Sequence, residues 1–233
     1  MITIKIADLA VGIDNRFEYI THLAKDYLTD EPPVFTVAAT DAELDAERTQ
    51  SGAEFSNGYL ESIVAYRKIA EEMPKYDGFV FHGAVLNLDG EAYAFTARSG
   101  VGKTTHTRLW LHEFGERVHY LNGDKPVIRF KDGVPYAYGT PWRGKEGYGV
   151  NESAPLRAIA FLERGVENSA EPIAPEHIVT RLITQMYMPR ASTAGAIMTM
   201  RLADRITKAV RLVELKCNME PEAAHVSLRA MKG

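Results

Sequence analysis

The feature that most constrains this chain is a hairpin signal that runs directly into a glycine-rich loop. Two stretches typical of strands, GFVFHGAVLNL at 78–88 and EAYAFTA at 91–97, flank the dipeptide Asp89-Gly90. Asp-Gly between two such stretches predicts a tight antiparallel hairpin. The strand that enters the loop is therefore expected to lie antiparallel to the strand before it. Ordinary parallel-sheet ATPases place their loop after a parallel strand, often early in the chain, so this order favours a different nucleotide fold.

The loop itself has the composition of a phosphate cradle. Its sequence, ARSGVGKT, follows the pattern G-x-x-x-x-G-K-[ST] with Ala97 in place of the first glycine. In this pattern backbone N–H groups and a lysine bind the phosphates, and a hydroxyl binds Mg²⁺. We therefore predict a helix over Lys103–Phe114 whose positive N-terminal end faces the phosphates. The predicted nucleotide-binding residues are Ser99, Gly100, Val101, Gly102, Lys103, Thr104 and Thr105, with Thr104 also a metal ligand.

The remaining pattern predicts an α/β fold with mixed, largely antiparallel sheets around the loop helix. Residues 1–75 are expected to form a small N-terminal α+β lobe, with one strand in ITIKIADL and another in FTVAAT. Residues 76–233 are expected to form the main domain. There we predict a second hairpin around KDG, a polar connector at VENSAEPIAP and a helix over 176–188.

Composition excludes several classes of function. The net charge of −4 does not indicate a protein that binds nucleic acid or an anionic membrane surface. No signal peptide and no apolar stretch of about 18 residues is found, so a cytoplasmic protein is expected. The single cysteine, Cys217, excludes an internal disulfide or a cysteine-cluster metal site, and it is expected to be a buried structural thiol.

Polar residues after the loop supply candidates for chemistry. Asp124 ends the predicted strand VHYLNGD, where a carboxylate suits a Mg²⁺ ligand or a base. Arg143 and Lys145 lie in the glycine-rich stretch TPWRGKEGYG, which could close over phosphates and stabilise a transferring group. His82 opens the strand beside the loop strand. His106 is expected at the surface or behind the site.

The stretch HGAVLNLDGEAYAFTARSGVGKTTHTRLW, followed by LNGDKPVIR and YGTPWRGKEG, resembles the superfamily that joins HPr serine kinase/phosphorylase and phosphoenolpyruvate carboxykinase. The resemblance covers roughly residues 78–165 and is closest to the small carboxykinase-like members. It implies their fold, His82 at the active centre, phosphate and metal binding by Lys103 and Thr104, and Asp124 as one member of an acidic pair.

The chain departs from that superfamily in three places. Gly123 and Lys125 flank Asp124, where the family commonly has two adjacent aspartates, so a base would come from His82 or Glu146. The additional metal and substrate site of a carboxykinase is not found. TPWRGKEG matches only the Arg-Gly of the HPr kinase signature, so HPr is not the expected substrate.

Three hypotheses follow from the sequence. The first is a Mg²⁺-dependent kinase that moves the γ-phosphoryl group of ATP, or of another nucleoside triphosphate, to a hydroxyl of a small molecule or of a peptide or protein serine. The second is a nucleotide sensor or pseudokinase that regulates a partner protein, and the third is a plain nucleoside triphosphatase. The exposed hairpins and the N-terminal lobe allow a homodimer.

Overall fold

The computed structural model of the chain describes residues 1–51, 54–98 and 100–233, and over these residues the fold is mixed α/β. The strands of this part are β1 (Ile2–Ile6), β2 (Leu9–Asp14), β3 (Phe35–Ala38), β4 (Gly78–Val80), β5 (Ala84–Leu88), β6 (Glu91–Thr96), β7 (Val118–Asn122), β8 (Val127–Lys131), β9 (Val134–Tyr138), β10 (Ser153–Arg164), β11 (Ser169–Pro172) and β12 (Arg211–Cys217).

The helices lie between and after these strands. They are α1 (Tyr19–Leu23), α2 (Asp41–Ser51), α3 (Asn57–Glu72), α4 (Lys103–Phe114), α5 (Pro175–Ile183), α6 (Thr193–Ala209) and α7 (Glu222–Lys232). The bounds of α4 are those predicted from the sequence, and Gly115 ends it with a positive φ (56°). None of the described helices is both long and apolar enough to cross a membrane.

The large sheet is built around the hairpin that precedes the glycine-rich loop. Its strand order is β4-β8-β9-β10-β6-β5-β7, and β12 joins β10 to β11. β5 and β6 pair antiparallel around Asp89 and Gly90, which both have positive φ (54° and 87°), so the predicted hairpin is confirmed. β10 lies parallel to β6 and to β12, whereas the other pairings of this sheet are antiparallel. The predicted mixed, largely antiparallel sheet is therefore confirmed.

Helices cover both faces of this sheet. α4 and α7 pack together against one face through an apolar cluster that includes Trp110 and Leu215. α5 and α6 cover the opposite face, where Leu182 and Leu202 meet the side chains of the strands. The small sheet β1-β2-β3 and helix α3 share a third apolar cluster with Trp142 from the loop after β9, so the two parts of the chain pack directly on each other.

The N-terminal stretch ITIKIADL was predicted as one strand, and this is wrong. β1 ends at Ile6 and turns back through Ala7 and Asp8, which both have positive φ (49° and 59°), into the antiparallel strand β2. Positive φ at both central residues is the geometry of a two-residue hairpin turn. Ala-Asp lacks the glycine that normally reveals such a turn, and this explains why the sequence pattern does not show it.

Two further elements differ from the prediction because their backbone groups form hydrogen bonds with residues distant in sequence. The polar connector at VENSAEPIAP contains β11, an edge strand paired with β12, and its exposed residues face solvent. The helix predicted over 176–188 ends at Ile183. The next residues instead pair with the segment after β4: the backbone N–H of His82 donates to the Gln185 carbonyl (2.7 Å), and that of Tyr187 donates to Val80 (2.8 Å).

His106 was expected at the surface or behind the site, but it lies on the buried side of α4, facing α7, and is 2% exposed. Its Nε2 lies 3.0 Å from Ser227 Oγ, and that hydroxyl already donates to the Ala224 carbonyl. Ser227 therefore accepts from His106, which places the imidazole proton on Nε2. Nδ1 is buried with no hydrogen-bond partner in the described part of the chain, and burial lowers the pKa of His106 to about 4.

We expect this histidine to make the fold sensitive to acid. Its pKa is about 4 when folded and about 6.5 when unfolded, so the unfolded state binds the proton first as the pH falls. The stability that neutral His106 gives is complete above pH 6.5 and is lost between pH 6.5 and 4, by about 3 kcal/mol. Urea unfolding at several pH values measures this. His106→Leu should flatten the slope in this window, and an unchanged slope would contradict the assignment.

Candidate functional site

The glycine-rich loop joins β6 to α4 in a conformation that requires glycine. Gly100 and Gly102 have φ of 79° and 125°. A Cβ added to either residue would have no atom within 4 Å. The backbone conformation, and not a lack of space, therefore requires glycine at both positions. Ala97, which replaces the first glycine of the pattern, does not have positive φ and is buried. Alanine is therefore compatible with this loop. Ser99 lies outside the described residues.

A cavity of about 540 Å³ opens at the N-terminus of α4 and collects most of the predicted site residues. Those that line it are His82, Gly100, Gly102, Lys103, Thr104, Thr105, Asp124, Arg143 and Lys145. Val101 is the exception, because it lines a neighbouring cavity on the other side of the loop. Residues from the segment before β5, the loop after β6, α4 and the loops after β7 and β9 are thus brought to one place, although the sequence separates them by up to 63 positions (82 to 145).

Lys103 is a partly buried cation at the start of α4. Its ammonium makes no ion pair and no hydrogen bond with the residues that the structure describes. Burial lowers the pKa of Lys103, and the nearby charge of Lys125 acts in the same direction, while Asp124 opposes both. A polyanion in the cavity would meet this ammonium together with the N-terminal end of α4.

Asp124 is held opposite the loop by a buried asparagine that sequence reasoning missed. Asn122 is fully buried, and its Oδ1 accepts from the backbone N–H of Asp124 (2.8 Å) and of Lys125 (2.7 Å). Its Nδ2 donates to the Thr140 carbonyl (3.1 Å), which ties the strand end to the loop after β9. The Asn-Gly-Asp sequence is typical of such an asparagine turn and was the available signal.

The loop after β9 approaches Asp124 closely. Gly144 has φ of 74°, and a Cβ on it would lie 2.7 Å from the Cβ of Asp124. The Gly123 N–H donates to the Tyr148 carbonyl (2.9 Å), and the Tyr148 ring stacks on Tyr120 at 4.7 Å. These contacts fix the loop over the cavity and explain why it needs glycine.

His82 lies beside Asp124, with its Nε2 3.7 Å from Oδ1 of the carboxylate. Its backbone is fixed on both sides, because its N–H donates to Gln185 and its carbonyl accepts from the Thr96 hydroxyl (2.8 Å). Burial lowers the pKa of His82, and Lys125 and Lys103 lower it further against the charge of Asp124. The imidazole is therefore neutral at neutral pH.

The two cations of the loop differ in their freedom. Arg143 Nη2 donates to Asp26 (3.1 Å), and its guanidinium lies 5.7 Å from the centre of the Tyr27 ring, so Arg143 is tied to the N-terminal lobe. Lys145 is exposed and has no hydrogen bond or ion pair with any described residue. Lys145 can thus reach a ligand in the cavity with little reorganisation.

A second cavity of about 870 Å³ adjoins the first, and five aromatic side chains line it. It shares Asp124, Arg143, Gly144 and Lys145 with the loop cavity. The aromatic side chains are Tyr19, Phe55, Tyr59, Tyr66 and Trp142. No sequence pattern pointed to this wall, because its members come from three separate segments.

The donor set of the loop cavity fits magnesium. Thr104 offers a hydroxyl and Asp124 a carboxylate, and hard oxygen ligands are those that Mg²⁺ takes. The described residues hold no cluster of three or more histidine, cysteine, aspartate or glutamate side chains that could bind a metal alone. Mg²⁺ does not need one, since it commonly uses one or two protein ligands together with phosphate oxygens and waters.

Comparison with known proteins adds little to this geometry. No protein-family model matches the chain, and no curated protein matches it significantly. Among solved structures, the chain is similar to the Hpr(Ser) kinase/phosphatase from Coxiella burnetii with a TM-score of 0.30 and 11% identity, over 55% of this chain and 97% of that one. That protein belongs to the superfamily that the residues resemble, but a TM-score this low carries no weight for fold or activity. Both rest on the chain's own geometry.

Proposed function

We propose that the chain is a Mg²⁺-dependent kinase that binds ATP, or another nucleoside triphosphate, in the loop cavity and transfers its γ-phosphoryl group to a hydroxyl. One observation carries the proposal: Lys103, which has no partner among the described residues, the Thr104 hydroxyl and Asp124 line one cavity at the N-terminus of α4. Phosphoryl transfer depends mainly on positioning and on stabilising negative charge, and this arrangement supplies both.

The residues of the loop hold the nucleotide. The backbone N–H groups from Gly100 to Thr105 surround the phosphates, and Lys103 binds the β- and γ-phosphates. Thr104 and Asp124 would hold Mg²⁺, which would reduce the negative charge of the phosphates. Lys145, together with Arg143, lines the same cavity and would stabilise the transferring group.

His82 serves as the base in this proposal. The O–H bond of the acceptor breaks and its proton goes to Nε2 of His82, while the acceptor oxygen bonds to the γ-phosphorus. The bond from that phosphorus to the bridging oxygen breaks, and its electron pair leaves with the nucleoside diphosphate. Position supports His82, because it lines the loop cavity with its Nε2 3.7 Å from Oδ1 of Asp124. Glu146, the other candidate, is exposed and bonded to Arg108 (3.3 Å).

A second function is favoured by the lone carboxylate. Asp124 is flanked by Gly123 and Lys125, and its carboxylate lies 3.5 Å from the Lys125 ammonium. A site with one aspartate can bind nucleotide without efficient transfer, so a nucleotide sensor that regulates a partner protein is the alternative.

One experiment separates these functions. The purified chain is incubated with γ-labelled ATP, Mg²⁺ and a cell extract that has been separated into metabolite and peptide fractions. We expect label on an acceptor other than water. Label found only as inorganic phosphate would indicate a triphosphatase, and ATP binding without release or transfer of label would indicate the sensor.

Arg164 is expected to set nucleotide affinity without touching the nucleotide. Its Nη2 donates to the Gly100 carbonyl (2.6 Å) and its Nε to the Val101 carbonyl (3.3 Å), which holds the loop open toward the phosphates. We expect Arg164→Ala to weaken ATP binding about tenfold, since two charge-assisted hydrogen bonds that orient the loop are lost. Calorimetry measures this. Arg157→Ala, on the same strand but bonded to Glu91, is the matched control and should bind ATP like the wild type.

A further inference from the structure

We propose that the second cavity is the acceptor site, and that it takes a small molecule with a hydroxyl, a flat apolar ring and a negative charge. This inference rests on the proposed kinase function. The cavity, of about 870 Å³, meets the loop cavity at Asp124, where the γ-phosphoryl group would lie. Small-molecule sites typically enclose about 300–1,000 Å³, so the size suits a metabolite better than a folded protein.

The aromatic wall favours a flat ring. Phe55 and Tyr59 have ring centres 4.6 Å apart, and Tyr19 meets Tyr59 edge-on at 5.9 Å. Trp142 is held by its Nε1, which donates to the Ser62 carbonyl (3.1 Å). Tyr19 and Phe55 are still 41% and 42% exposed, so a ring bound between them would bury apolar surface that now faces water.

The charged residues of the second cavity determine which sign of ligand charge it favours. Aromatic walls also bind quaternary ammonium groups, so the rings alone leave the ligand's charge open. Four cations line this cavity, Arg67, Lys125, Arg143 and Lys145, against the carboxylates of Asp124 and Glu54. Arg67 is already paired with Glu47, and Arg143 with Asp26. Lys145 has no partner in the described residues, and Mg²⁺ on Asp124 would free Lys125. An anionic ligand is therefore favoured over a cationic one.

Tyr66 marks the place of the acceptor hydroxyl. It lies on α3 and lines the second cavity, with its ring 5.4 Å from Trp142. Its hydroxyl makes no hydrogen bond with the described part of the chain. Burial raises the pKa of Tyr66, and the Asp124 charge raises it further, so the phenol stays protonated and can donate to the acceptor oxygen. The acceptor hydroxyl would thus lie between Tyr66, Asp124 and His82.

A series of matched probes tests ring and charge separately. The probes are para-hydroxymethylbenzoate (ring and anion), benzyl alcohol (ring only), para-hydroxymethylphenyl-trimethylammonium (ring and cation) and hydroxyacetate (anion only). Binding to the full chain is measured by saturation-transfer NMR with Mg²⁺ present and without nucleotide. We expect para-hydroxymethylbenzoate to bind more tightly than the other three. Tighter binding of the cation or of hydroxyacetate would overturn the proposed class.

Two variants locate the binding. Phe55→Ala removes one ring of the wall and should weaken para-hydroxymethylbenzoate about fivefold. Phe35→Ala removes a ring that stacks on Tyr76 at 5.5 Å outside both cavities, and it should bind this probe like the wild type. Equal affinity in the two variants would overturn the proposed location.

ATP calorimetry on the same samples separates this proposal from the kinase proposal. Phe55 does not line the loop cavity, so ATP binding should persist in Phe55→Ala. ATP binding without probe binding would overturn the acceptor site and leave the kinase proposal intact. Probe binding without ATP binding would overturn the kinase proposal and, with it, the role of the cavity as an acceptor site. A labelled acceptor that proves to be a protein would overturn the small-molecule class.

Discussion

Replacing Lys103 by alanine is expected to lower the rate of phosphoryl transfer by about a thousandfold. The Lys103 ammonium lines the loop cavity and has no partner in the described residues, so its charge is available for phosphate. The contact is expected to strengthen as charge develops on the transferring group, and its loss should therefore lower turnover more than ATP affinity. Both quantities are measured with γ-labelled ATP over a range of ATP concentrations.

A lysine elsewhere on the surface provides the control for this variant. Lys131 pairs with Asp8 at 3.1 Å, far from either cavity, and Lys131→Ala should keep full turnover. Thermal unfolding of both variants checks that the fold is retained. Full activity of Lys103→Ala would remove the basis of the kinase proposal.

Asp124→Asn is the second variant with a large expected effect. The amide keeps the size of the side chain, and the backbone N–H of residue 124 can still donate to Asn122, so the turn should be preserved. The carboxylate charge that would bind Mg²⁺ is lost. We expect turnover to fall by about a hundredfold to a thousandfold and ATP affinity to become nearly independent of Mg²⁺. Calorimetry with ATP at several Mg²⁺ concentrations measures the second effect.

An aspartate outside the site provides the control for Asp124→Asn. Asp132 lies exposed in the turn between β8 and β9 with φ of 51°, a conformation that asparagine also tolerates, and Asp132→Asn should leave both readouts unchanged. If the Mg²⁺ dependence of ATP binding survives in Asp124→Asn, another group holds the metal and the proposed ligand set is wrong.

Local signals were sufficient to predict the framework that carries the site. Asp89-Gly90 predicted the β5–β6 hairpin, and the run from Gly102 to Gly115 predicted both ends of α4. These features depend on backbone preferences of a few neighbouring residues, which the sequence displays directly. The same local logic failed at Ala7-Asp8, where two residues adopt positive φ without a glycine.

What the sequence could not predict depends on distant segments. Gln185 and Tyr187 are not helical because their backbone groups form hydrogen bonds with His82 and Val80, which lie more than 100 positions away in the sequence. The aromatic cavity likewise joins Tyr19, Tyr59 and Trp142 from three segments that share no sequence pattern. His106 could not be placed for a similar reason, since only the packing of α7 on α4 buries it against Ser227.

The measurement that most directly tests the central claim is a calorimetric titration of ATP into the wild-type chain with and without Mg²⁺. A phosphate site built from the loop amides, Lys103, Thr104 and Asp124 predicts saturable binding of one ATP per chain that Mg²⁺ strengthens. Absence of binding at millimolar ATP with Mg²⁺ present would contradict the claim that this cavity is a nucleotide site.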